Sequence, residues 1–180
     1  MTRRWQSRAA LYAILFVMIS ACGTDDPVAQ PAPGWVTVVD EPSGARIALP
    51  EQSEPSADTA ADANGSRVTL RQYAATAADG TVEVGFNVLD TRGGAYDLDT
   101  GVREVATSLH GHIVSTQPTD IDGHDAVSAE ISYGADNLVL FQLVNADEHV
   151  LQPLVAGHAS RRDVVEKTFE QLTESLDVGR

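Results

Sequence analysis

Histidines and carboxylates are the side chains in this sequence with chemistry to offer, five and 26 of them respectively among 180 residues. The closest histidine pair is His110-x-His112, which straddles Gly111. Two imidazoles can hold one metal ion or exchange protons only if the chain between them folds both rings to one side. A third ligand would have to come from His124 or His149, and spacing fixes neither. His110, His112 and His124 are therefore candidate metal ligands, set against a simpler reading as surface histidines beside a helix end, so no metal or other cofactor is expected. A second cluster, Asp120-x-Asp122-Gly123-His124-Asp125, resembles a calcium loop, but that loop needs a glutamate at its twelfth position. Counted from Asp120, that position is Ile131. Asp-Gly between two strand-like runs reads first as a hairpin turn. Acids are too numerous for any pair to single out a glycosidase. No nucleophile elbow, phosphate loop or dinucleotide fingerprint is present. Arg161, Arg162 and Lys167 form a small basic cluster that reads as a solvated face.

The elements that would position these groups follow from periodicity. Trp35–Val39 and Arg46–Leu49 flank the turn residues Glu41-Pro42-Ser43-Gly44 and predict a hairpin. Pro50–Ser66 has almost no large apolar residue and predicts a long surface loop, with a helical turn near Ala57–Ala63. Val68–Ala74 and Thr81–Leu89 predict two strands. In the second, Val82, Val84, Phe86 and Val88 fall on one face, and Arg92-Gly93-Gly94 ends it. Val102, Val105, Ala106 and Leu109 give one apolar stripe on a helix over about 99–110. Asp97 or Asp99 caps its start, and Gly111 is placed to end it in a left-handed turn. Next come a strand His112–Gln117 stopped by Pro118, an alternating strand Ala126–Tyr133, and Leu138–Val144, apolar enough to be buried on both faces. In the strand Val150–Ala156, Pro153 argues for a sheet edge or a bulge. The last helix, about 161–176, carries Val165, Phe169, Leu172 and Leu176 on one face, a Ser160/Asp163 capping box and an Asp163–Lys167 pair. The fold class this implies is α+β, an antiparallel sheet with covering layers on both sides.

The beginning of the chain carries an address. Arg3, Arg4 and Arg8 precede an apolar run, Ala9–Ile19, too short to span a bilayer. Ile19-Ser20-Ala21-Cys22 then resembles the bacterial lipobox, and Cys22 is the single cysteine. The expected organisation is a lipoprotein signal peptide over 1–21, a lipidated Cys22 with a Pro- and Gly-rich tether over 22–34, and one domain over 35–178. A single cysteine leaves the domain without an internal disulfide, so its stability must come from a hydrophobic core. Cleavage before Cys22 removes three of 12 basic residues and none of 26 acids, leaving a net charge of 9 − 26 = −17. Such a chain is repelled by phosphate backbones, so nucleic acid is not an expected partner.

Three passages resemble proteins of the PsbP-like fold, an α/β/α sandwich, and the small bacterial lipoproteins of the LpqN type built on it. They are Ser43-Gly44 with the strand ending at Leu49-Pro50, the hairpin Ile121-Asp122-Gly123-His124-Asp125-Ala126, and Leu138–Val144 with the closing helix Phe169–Leu176. The sparse Pro50–Ser66 departs from the family's early helix. The resemblance implies a non-enzymatic accessory or binding module and transfers no binding residue. The leading expectation is thus a non-catalytic, lipid-anchored module of the cell envelope, on the extracytoplasmic side of a membrane, with an envelope protein or lipid as partner. The alternatives are an envelope hydrolase with a histidine–acid site near residues 110–125, and a lipid carrier, which needs an apolar cavity.

Overall fold

The computed structural model describes residues 31–61, 67–91 and 96–179. The signal segment, Cys22, most of the tether and the break at Arg92–Gly94 lie outside these residues.

Among the described residues, nine strands and two α-helices follow one another as β1 (Val36–Val39), β2 (Arg46–Leu49), β3 (Ser56–Ala61), β4 (Arg67–Ala77), β5 (Val82–Asp90), α1 (Leu98–Ser108), β6 (His112–Ile121), β7 (His124–Tyr133), β8 (Asn137–Ala146), β9 (His149–His158) and, after a short 3-10 turn at Ala159–Arg161, α2 (Arg162–Glu174). β3 to β9 form one sheet in the order β3-β4-β5-β9-β8-β7-β6, and β1 and β2 form a separate hairpin. Every pairing is antiparallel.

The sheet is covered on both faces, because its central strands are apolar on both. Along β8, Leu138 and Val144 join one core cluster while Val139, Phe141 and Leu143 join the other. The first cluster takes Val82, Val84, Phe86 and Val88 of β5, each at most 2% exposed, and closes them under the β1–β2 hairpin and α2 through Ile47, Leu49, Val165 and Leu172. The second packs Val102 and Ala106 of α1 on Val127, Ala129 and Ile131 of β7. Burying a side chain such as Leu172 is worth about 1.5–3 kcal/mol. Phe169, on the same predicted stripe, sits at the rim of that core rather than inside it.

The structure corrects several local expectations. Residues 56–61 of the supposed Pro50–Ser66 loop form the edge strand β3, paired from Ser56↔Gln72 to Ala61↔Arg67, so no helical turn starts at Ala57. An edge strand needs backbone partners on one side only and no large apolar side chains, and so hydrophobic periodicity misses it. Pro118 does not stop its strand but lies inside β6, the opposite edge, where a missing N–H is tolerated. Pro153 is in the central strand β9, opposite Phe86 of β5. Pairing with β8 runs from Asn137↔His158 to Phe141↔Leu154 and resumes at Val144↔Leu151 in the same register. The proline therefore interrupts the ladder without a bulge. At the start of α2, Arg161 occupies the cap position with no side-chain bond. Ser160 instead engages His158, whose Nδ1 accepts from the Ser160 amide. The cation paired on this helix is Arg162, with Glu130 and Glu166, rather than Lys167 with Asp163.

Candidate functional site

The end of α1 determines where the first histidine pair sits. Asp97 caps the helix start, accepting from the Thr100 amide at 3.1 Å. At the other end the His110 amide donates to the Thr107 carbonyl and the Gly111 amide to the Ala106 carbonyl, the two bonds of a Schellman termination. The left-handed residue of this motif is His110, at φ +52°, not Gly111. Glycine is required at 111 for space: a Cβ there would stand 2.6 Å from Ile131 Cγ2 and 2.7 Å from the Ser132 carbonyl oxygen. The turn delivers both His110 and His112 to the wall of a surface cleft of about 360 Å³, with Val114, Glu130, Tyr133, Asp136 and Arg162 also lining it.

Arg162 reaches across this cleft from α2. Its guanidinium donates to both Glu130 carboxylate oxygens, at 2.6 and 3.0 Å, and to Glu166 at 3.2 Å. The bond from Arg162 holds the Glu130 carboxyl below its usual range against a smaller opposing effect of burial. Arg162 is raised in turn, by Glu130 first and Glu166 second.

His124 is not part of this group. It pairs with Ile121 across the β6–β7 turn, while His112 pairs with Ser132 at the far end of the same hairpin. Eight residues of strand separate Ser132 from His124, roughly 26 Å at ~3.3 Å per residue. The Asp120–Asp125 cluster is the type I′ hairpin turn its sequence suggests, with φ +53° at Asp122 and +85° at Gly123. His110 and His112 are thus separated from His124 and from the acids of that turn, and a hydrolytic or metal site spanning 110–125 is not assembled. No group of three metal-binding side chains is found among the described residues. The lipid-carrier reading calls for an apolar cavity, whereas the wall of this cleft carries the ionisable side chains of His110, His112, Glu130, Asp136 and Arg162.

The most connected polar cluster is one the sequence reading missed. Asp40, at the end of β1, is fully buried. Its carboxylate accepts from Arg71 Nε at 2.6 Å and Nη2 at 3.1 Å, from Tyr73 OH at 2.9 Å, and from the Ser43 amide and hydroxyl at 3.1 and 2.6 Å. Arg71 also holds Asp90 Oδ1 at 2.9 Å, and His149 Nδ1 lies 3.1 Å from that oxygen. Burial alone would raise the Asp40 carboxyl, but the bonds from Arg71, Ser43 and Tyr73 outweigh it and hold it below the usual carboxylate range. Tyr73 is pushed up, by burial first and by Asp40 second. The chain of contacts ties the hairpin loop to β4, β5 and β9, and Asp90 and His149 form its partly exposed end. An Asp–His contact of this kind can orient an imidazole, but the remaining members of the cluster are taken up in holding the hairpin. The available signal was Arg71 sharing the inward face of its strand with Tyr73 and Ala75, since a charge on a buried face needs a partner.

Comparison with solved structures identifies the architecture. The chain aligns with the solution structure of cyanobacterial PsbP from Synechocystis sp. at a TM-score of 0.55 and 13% identity, covering 88% of this chain and 98% of that one. This is a PsbP-like fold. A protein of unknown function from Pseudomonas aeruginosa aligns at a TM-score of 0.48 and 14% identity, over 79% of this chain and 96% of that one. No family profile and no curated protein matches the sequence. The PsbP-like sandwich accounts for the two-sided core, and within Pro50–Ser66, the stretch that departs from the family's pattern, residues 56–61 form the edge strand β3.

Proposed function

We propose that this protein is a lipid-anchored, extracytoplasmic lipoprotein of the cell envelope, related to the LpqN type, that acts as a non-catalytic binding or accessory module. The address rests on Ile19-Ser20-Ala21-Cys22 behind a basic and apolar leader. The observation that carries the module reading is the use made of the charged side chains. Asp40, Arg71 and Tyr73 are buried and bonded to one another, and Arg162 is shared between two glutamates. These groups build the scaffold, while the surface left open is a cleft beside a long sheet edge. The PsbP-like fold is compatible with an accessory role.

Photocrosslinking in cells tests the reading, with the Cys22→Ala form as control. A crosslinked envelope partner that disappears when Cys22 is replaced supports it. Crosslinks indistinguishable between the two forms would contradict it.

A further inference from the structure

We propose that the free edge of β6 is a docking strand for an extended, basic segment of a partner protein, which pairs with His112–Gln117 and lays a side chain into the neighbouring cleft. The inference rests on the binding-module reading and names the surface and the chemistry of its partner.

Among the described residues, β6 is the outermost strand of the seven-stranded sheet and is bonded to β7 on one side only. Nine of its ten residues are exposed, and the tenth, Ile121, is half-buried. Its outward N–H and C=O groups therefore face solvent along a line of about 20 Å over His112–Gln117, at ~3.3 Å per residue. Sheet edges of this length usually carry prolines, bulges or charges that block pairing with another chain. In β6 the proline and the acid, Pro118 and Asp120, lie in the second half. The first half keeps a register irregularity between Ile113 and Ser115, but no proline and no carboxylate.

Two large apolar side chains stand in that half, Ile113 at 41% and Val114 at 55% exposed. The other sheet edge, β3, offers only small and polar residues. Val114 also lines the cleft that holds His110, His112, Tyr133, Glu130 and Asp136, so a strand added to β6 would run past its mouth. Charge selects the occupant. The cleft's cation, Arg162, is shared by Glu130 and Glu166, Asp136 adds a further acid, and the chain carries a net −14. A second copy of so acidic a chain is disfavoured, and a basic segment is attracted. Main-chain pairing would supply affinity and the cleft specificity, the usual division in strand addition.

The test titrates the full chain with a synthetic peptide of alternating Lys and Val, and with a peptide of the same charge interrupted by prolines. Hydrogen exchange read by residue locates the binding. The first peptide is expected to bind and to slow exchange of amides within His112–Gln117, and the proline peptide to bind about tenfold more weakly or not at all. Val114→Lys, at an exposed position, is expected to weaken the first peptide about tenfold, while Val36→Lys on the hairpin leaves it unchanged. Equal binding of both peptides would reduce the interaction to charge alone and overturn the proposal, as would protection at β3 or the absence of binding. Protection of the same amides without peptide, rising with protein concentration, would show a second copy as the occupant and overturn the assigned partner. Each of these failures leaves a Cys22-dependent crosslinked partner standing, so the two readings fail separately.

Discussion

Arg71→Met is the substitution that most directly probes how this fold is held together. It removes the cation from a carboxylate that is completely shielded from solvent and takes a 2.9 Å partner from Asp90. Breaking a buried ion pair from one side typically costs about 3–5 kcal/mol, because the remaining charge stays buried. Here Asp40 would keep the Ser43 amide and hydroxyl and the Tyr73 hydroxyl as donors, and Asp90 is partly exposed. The lower end, about 3 kcal/mol, is therefore expected, which corresponds to a fall of roughly 6–12 °C in Tm for a domain of this size. Urea unfolding of wild type, Arg71→Met, Asp40→Asn and the double variant measures the coupling. The double variant should lose less than the sum of the singles, because removing Arg71 no longer strands a charge once Asp40 is neutral. Single-variant losses below about 1 kcal/mol, or strictly additive losses, would refute the claim that this pair clamps the hairpin to the sheet.

Stability should also depend on pH through Asp40. Its carboxyl titrates lower in the folded chain than its unfolded value of about 3.9, so its contribution is complete above that value and is lost as pH falls through the folded one. The stability gap between wild type and Asp40→Asn should thus be constant at neutral pH and shrink in acid; a gap that widens in acid would contradict this. Gly111→Ala should destabilise by about 1–3 kcal/mol, through the contacts with Ile131 and the Ser132 carbonyl, whereas His110→Gly should stabilise by up to about 1 kcal/mol by relieving the left-handed position; chemical denaturation reads both. Leu172→Asp, at a fully buried position, should abolish cooperative melting, while Phe169→Asp at the core rim should lower Tm and leave a folded domain. Equal thermal profiles for the two would show that burial does not rank these positions.

What the sequence revealed and what it hid divide along physical lines. β5, β7 and β8 were legible because one or both faces are buried, and burial writes period two or an unbroken apolar run into the chain. Both helices were legible from their stripes. β3 was not, because an edge strand of Ser, Ala, Asp and Thr gains its backbone bonds without burying anything large. Pro153 misled because a central strand can lack one ladder bond if its register continues on either side. Asp40 and Arg71 are 31 residues apart, and nothing local announces that they meet. The histidines were the reverse case: His110 and His112 do share a cleft wall, but by way of a Schellman turn whose left-handed residue is the histidine itself. His124, close in sequence, is held at the other end of a ten-residue hairpin strand.

The central claim is that this PsbP-like domain works from a lipid anchor at Cys22, and intact mass analysis of the protein extracted from cell membranes tests it most directly. The account predicts a mature chain beginning at Cys22 that carries a diacylglycerol mass and becomes soluble and unmodified on Cys22→Ala. A mature N-terminus at any other residue, or an unmodified Cys22 in the membrane fraction, would contradict it.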